Sequence, residues 1–138
     1  MNKEPIQEFE NIEQANEYLK EWQNRLFLND WIIKLNFAEA NEMPNNAGFN
    51  NWCFEKQSAR ITLAKLTDDT RNRIIKVCQE CTLVHELLHL KFNLVENADT
   101  YEGKFLEIHE HQLLDQIAKS LIMTKYNLAF DWFKNFEE

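Results

Sequence analysis

The sequence predicts an α+β fold with one small sheet, and three observations carry that expectation. Apolar residues recur every three or four positions over 6–28 and over two long downstream stretches, the mark of amphipathic helices. They alternate over 31–37, the mark of a strand with one buried face. Two further short strand-like runs follow with turn residues between them. The order helix, three strands, helix, helix places a small, mainly antiparallel three-stranded sheet against helices. With 138 residues and 44% hydrophobic content, one domain can bury a core, and two Gly and two Pro leave little irregular chain.

The first helix is read over 6–28, with Phe9, Ile12, Ala15, Leu19, Trp22 and Leu26 on one face and Asn29-Asp30 as its stop. In the strand over 31–37, Trp31, Ile33, Leu35 and Phe37 face the core. An Asn-rich loop over 39–48, holding Pro44 and Gly48, comes next. A second strand over 49–55 and a third over 59–65 are close enough across Lys56-Gln57-Ser58 to form a hairpin. Thr67-Asp68-Asp69-Thr70 resembles an N-terminal cap for a helix over 70–92, its acids suited to the helix dipole. Polar residues over 93–100 end that helix. A last long helix over 101–125 carries Phe105, Ile108, Leu113, Leu114, Ile117, Leu121 and Ile122, and an aromatic tail, Phe130, Trp132, Phe133 and Phe136, packs as a final helical turn or two.

Composition narrows the function classes. A net charge of −8 argues against a nucleic-acid surface spread over the chain. No stretch reaches the roughly 18 apolar residues of a membrane span, and the first residues lack the apolar core of a signal peptide. Three cysteines are an odd number for a disulfide framework. A cytoplasmic protein with neither nucleic acid nor membrane as partner is expected.

The chemistry is concentrated in the histidines, all four of which fall between His85 and His111. His85-Glu86-Leu87-Leu88-His89 is an HExxH pattern. Residues four apart share a helix face, so His85 and His89 can offer imidazole nitrogens to one metal, with Glu86 beside them as general base toward a water the metal activates. Thr82, Leu83, Val84, Leu87, Leu88 and Leu90 make this helix apolar, and two histidines and a glutamate in such surroundings need a partner; Zn2+ supplies one. A catalytic zinc takes three protein ligands and leaves one position open. The third is expected from His109, Glu110 and His111. Asp115 lies four residues after His111 and can steady a ligand histidine, His89 or His111, through its second ring nitrogen, which favours His111. Glu110 is the alternative third ligand. Ala118, one turn further, is small enough to let two helices approach. Cys78 and Cys81 form a CxxC, but a zinc site of that type needs a second pair, so they read as buried apolar cysteines.

The chain resembles the gluzincin-like minimal zinc peptidases, in particular the small metallopeptidases encoded by phages and prophages. The resemblance rests on Glu21-Trp22-Gln23-Asn24-Arg25-Leu26 before a strand opened by Asp30-Trp31, on Ala59-Arg60-Ile61-Thr62-Leu63, on Leu83-Val84-His85-Glu86-Leu87-Leu88-His89-Leu90, and on Asp115-Gln116-Ile117-Ala118. It spans about 18–122; the pentapeptide is specific and the rest is loose. The resemblance implies a minimal zincin-like fold with a metal-ligand helix after the HExxH helix. It implies a glutamate as third ligand with an acid or amide four residues later, and His111 stands in the glutamate's place. A more distant similarity to SprT-like proteases, which use a third histidine, points to substrates on DNA, and the acidic balance speaks against it. The function expected is hydrolysis of a peptide or protein substrate, with an extended chain added at the sheet's free edge. A zinc-stabilised protein-binding module without turnover is the rival; a fourth protein ligand such as His109 would mark it.

Overall fold

The computed structural model describes residues 4–39, 48–65, 78–92 and 100–134. Helix α1 (Ile12–Arg25) begins where Asn11 accepts the Gln14 N–H on its side-chain oxygen at 2.8 Å, and it buries Ala15, Leu19 and Trp22 on one face. It starts later than the periodicity of 6–28 suggests. Ile6 and Phe9 keep the apolar spacing, but the backbone around them is used elsewhere. The Ile6 and Phe9 N–H groups donate to Glu80 and Gln79 side chains, and the carbonyls of Ile6 and Gln7 accept from the Glu80 and Gln79 N–H groups. Tertiary hydrogen bonds outweigh one more helical turn.

Strands β1 (Ile32–Ala38), β2 (Gly48–Cys53) and β3 (Ser58–Ala64) form one sheet in the order β1-β3-β2. β2 pairs antiparallel with β3, as the short 54–57 turn dictates, with Gln57 in the left-handed region at φ 48°. β1, however, pairs parallel with β3, Ile32 opposite Ser58 and Ala38 opposite Ala64. The sheet is therefore mixed, which corrects the expectation of a mainly antiparallel one. β3 is the apolar strand, with Ala59, Ile61, Leu63 and Ala64 buried, and the centre of a sheet is where such a strand belongs. Once β3 is central, the hairpin takes one of its edges and β1 takes the other. No local pattern in β1 encodes that choice.

Helix α2 (Gln79–Lys91) lies against α1, the sheet and the next helix, and Leu83, Val84, Leu87, Leu88 and Leu90 are buried. The expected cap at Thr67–Thr70 and most of the 39–48 loop lie outside the described residues, and Gly48 opens β2. The helix expected over 70–92 is not continuous from 70: Cys78 is extended and caps it, so its turns begin at Gln79. Helix α3 (Tyr101–Tyr126) is capped by the Thr100 hydroxyl on the Gly103 N–H at 2.9 Å and closed by Asn127 in the left-handed region. Its buried residues Leu114, Ala118 and Ile122 are four apart and make one seam. Phe105, Ile108 and Leu113, expected in that seam, are exposed. In the first half of α3 only Gly103 and Glu110 are buried among the described residues. A final turn, α4 (Asp131–Lys134), buries Phe133; Phe136 lies outside the described residues. Among the described residues no helix is long and apolar enough to cross a membrane.

β2 runs directly over α2. A Cβ added at Gly48 would stand 2.7 Å from Thr82 Cγ2 and 3.2 Å from both Cγ and Oε1 of Glu86. Gly48→Ala is expected to destabilise the fold by about 1–3 kcal/mol through overpacking, read as a lower denaturant midpoint with unchanged slope. An unchanged midpoint would mean that strand and helix are less closely apposed.

Candidate metal centre

α2 presents His85 and His89 on one face, and their Nε2 atoms stand 3.1 Å apart. α3 adds His111, whose ring lies 5.5 Å from that of His85 and nearly parallel to it, and 4.8 Å from that of His89 at a steep angle. One ligand atom from each of the three lies within 4.8 Å of the others. Leu114 and Ala118, buried on the same helix, belong to the core cluster that also holds Leu87 and Leu88 of α2.

The donor set fits zinc. Two imidazole nitrogens at the usual 2.0–2.1 Å on a tetrahedral ion are about 3.3 Å apart, close to the separation of the His85 and His89 nitrogens. Nitrogens so placed cannot both carry a proton facing inward. Burial, with the charges of His85 and His111, pushes His89 down to about 4, so this ring is neutral, the form that binds metal.

For His85 burial acts the same way, but the Asp115 carboxylate outweighs it and raises the pKa, with Glu86 adding to the effect. Asp115 Oδ1 stands 2.8 Å from His85 Nδ1. The oxygen is off the line of the ring N–H, since that buried nitrogen has no straight hydrogen bond. The contact in turn holds Asp115 below the ordinary carboxylate range.

Asp115 thus serves His85, where the sequence pointed to His89 or His111. The contacts pair 85 with 115 and 89 with 110, so the two helices run antiparallel here, and one turn beyond His111 on α3 meets one turn before His89 on α2. Glu110 is buried with its Oε1 3.8 Å from His89 Nδ1, behind the ring and not among the three converging groups. His109 turns away against Phe105, ring centroids 4.4 Å apart. Asp115→Asn is expected to weaken zinc binding 10–100-fold, measured by competition with a chromogenic chelator. Equal affinity would detach Asp115 from the site.

Glu86 is 7% exposed beneath β2. Burial pushes its carboxyl up to about 7; the His85 charge and the Asn50 amide pull the other way, and the Asp115 charge adds to the rise. Two β2 residues that sequence reasoning passed over complete the surroundings. Asn50 Nδ2 donates to the Glu86 backbone carbonyl at 2.8 Å, and the Trp52 indole stacks on His89 at 6.3 Å and 19°. Asn is depleted in strands, so Asn50-Asn51 within a strand was the available signal. Cys78 is buried and Cys81 partly so, and neither joins the histidines.

Comparison of the chain with protein-family models, with curated proteins and with solved structures gives no match in any of the three.

Proposed function

We propose that this chain is a zinc-dependent peptidase of the minimal zincin-like type, acting on peptide or protein chains in the cytoplasm. The observation that carries the reading is the convergence of His85, His89 and His111 around one point, with Glu86 buried beside them on the same helix. Zinc, when bound there, would polarise a scissile carbonyl and lower the pKa of a water toward about 7.

Glu86 is the proton carrier. It takes the proton of the attacking water and delivers it to the leaving amine, and a carboxyl near pH 7 is well matched to both halves of that task. His85 and His89 are set by their outer nitrogens, one facing Asp115 and the other Glu110. Among the described residues β2 pairs with β3 on one side only, and Glu86 lies beneath its Gly48, so an extended substrate can add along its other edge as a further strand. His109, the residue suited to a fourth ligand, faces Phe105, which favours catalysis over a purely structural zinc.

The test is removal and return of the metal. Protein stripped with a chelator should lose hydrolysis of an unfolded polypeptide and regain it with one zinc per chain. One tightly held zinc without any cleavage would instead support the binding module.

A further inference from the structure

Two thiols open α2, remote from the use made of the histidines. Cys78 is the N-cap residue, in extended conformation, and its Sγ accepts the Cys81 N–H at 3.4 Å. Cys81 is the third helical residue. A cap side chain and the side chain three residues on reach toward each other across a helix start, which is the geometry of a capping box. Here both are cysteines, and their sulfurs are 2.7 Å apart. A disulfide measures about 2.05 Å, so closure asks for a movement of less than about 1 Å.

The residues between them are already immobilised. Gln79 Oε1 accepts the Phe9 N–H at 2.6 Å and its Nε2 donates to the Ala64 carbonyl at 2.9 Å. Glu80 is fully buried and bonded to Ile6, Trp22, Lys125 and Tyr126. These bonds fix the turn that sets the two sulfurs side by side. Cys81 is the more open of the pair, Cys78 being buried, and Cys53 stands apart on β2.

We propose that Cys78 and Cys81 are a dithiol–disulfide site, closed reversibly by a small-molecule disulfide of the glutathione class. One cysteine, having lost its proton, attacks a sulfur of the oxidant; the oxidant's S–S bond breaks and its first thiolate leaves and takes up a proton. The second cysteine, deprotonated in turn, attacks the protein-side sulfur of the mixed disulfide and expels the second thiolate. Two electrons and two protons pass from the pair to the oxidant, which becomes two thiols. The bond would join the first turn of α2 to itself, one turn ahead of His85.

The experiment is thiol counting on the native full-length chain in a series of reduced and oxidised glutathione, with chelator present. Free thiols should fall from three to one, and the peptide 77–91 should become lighter by two hydrogens. A thiol reductant should restore all three. Cys53→Ser should go from two thiols to none. The pair should close at a concentration of oxidised glutathione at least tenfold lower in the native protein than in urea, because the fold holds the sulfurs together. Three thiols retained, glutathione left on Cys78 or Cys81 as a stable adduct, a bond to Cys53, or equal closure in urea would each overturn the assignment.

Discussion

For the zinc peptidase we propose, Glu86→Gln is expected to bind zinc as the parent does and to lose peptide hydrolysis by about 10²–10⁴-fold, the usual contribution of a positioned general acid–base. The amide has the carboxylate's size, and Glu86 sits where β2 crosses α2, 3.2 Å from the position of a Gly48 Cβ, so a shape-preserving replacement leaves the packing intact. The three nitrogens that converge come from His85, His89 and His111, and none is touched by the change. The loss should therefore fall on kcat, with zinc content unchanged by metal analysis. Undiminished cleavage in a variant that still holds zinc would remove Glu86 from its role.

The same variant should show the opposite effect on stability. In the metal-free protein, burial holds Glu86 well above the ordinary carboxylate value, at about 7. The folded state therefore binds a proton that the unfolded chain has released between about pH 4.5 and 7, and stability falls as pH rises through that window. Below it both states are protonated and the penalty is absent; above it the penalty is complete, up to about 3 kcal/mol. Stripped of metal, Glu86→Gln should be more stable than the parent at pH 8 and indistinguishable from it at pH 4, by urea denaturation. Equal stability at both pH values would mean that Glu86 titrates normally.

The parts of this arrangement that local chemistry encodes were legible in the sequence. The spacing of His85 and His89 fixes their common face wherever the helix lies, and the four-residue step from His111 to Asp115 does the same on α3. Apolar periodicity located β1 and α3 closely, and α1 except for its start, which lies at Ile12 and not near Ile6. What the sequence did not carry were relations between elements. The parallel pairing of β1 depends on which strand takes the centre. The assignment of Asp115 to His85 depends on the antiparallel sense of α2 against α3. Phe105 and Ile108 fit a helical stripe, yet both are exposed in the structure. Asn50 reaches the Glu86 carbonyl, and Trp52 the His89 ring, because β2 lies above α2.

Glu80 is the clearest case of a residue whose pattern concealed its role, and Glu80→Ala is expected to cost about 3–5 kcal/mol, a large part of the 5–15 kcal/mol typical of a domain. In the sequence it falls mid-helix with no role, whereas in the structure it stands in the first turn of α2 and is wholly buried. Its Oε1 accepts from the Ile6 N–H at 2.9 Å and the Tyr126 hydroxyl at 2.5 Å, and its Oε2 from the Trp22 indole at 2.9 Å and the Lys125 ammonium at 2.8 Å. Removing it leaves a cavity and four donors without their acceptor, one of them the ammonium of a 10% exposed lysine whose remaining carboxylate partner is Glu21 at 3.0 Å. Glu80→Gln should cost less, since it keeps the volume, but it still sets an NH2 against donors and removes the charge facing Lys125. The carboxylate also ties α2 to Trp22 on α1 and to Lys125 and Tyr126 at the end of α3. That same α2–α3 relation brings His111 to His85 and His89, so zinc affinity should fall in Glu80→Ala even though no zinc ligand has changed. A denaturation midpoint equal to that of the parent would show that this cluster does not hold the helices together.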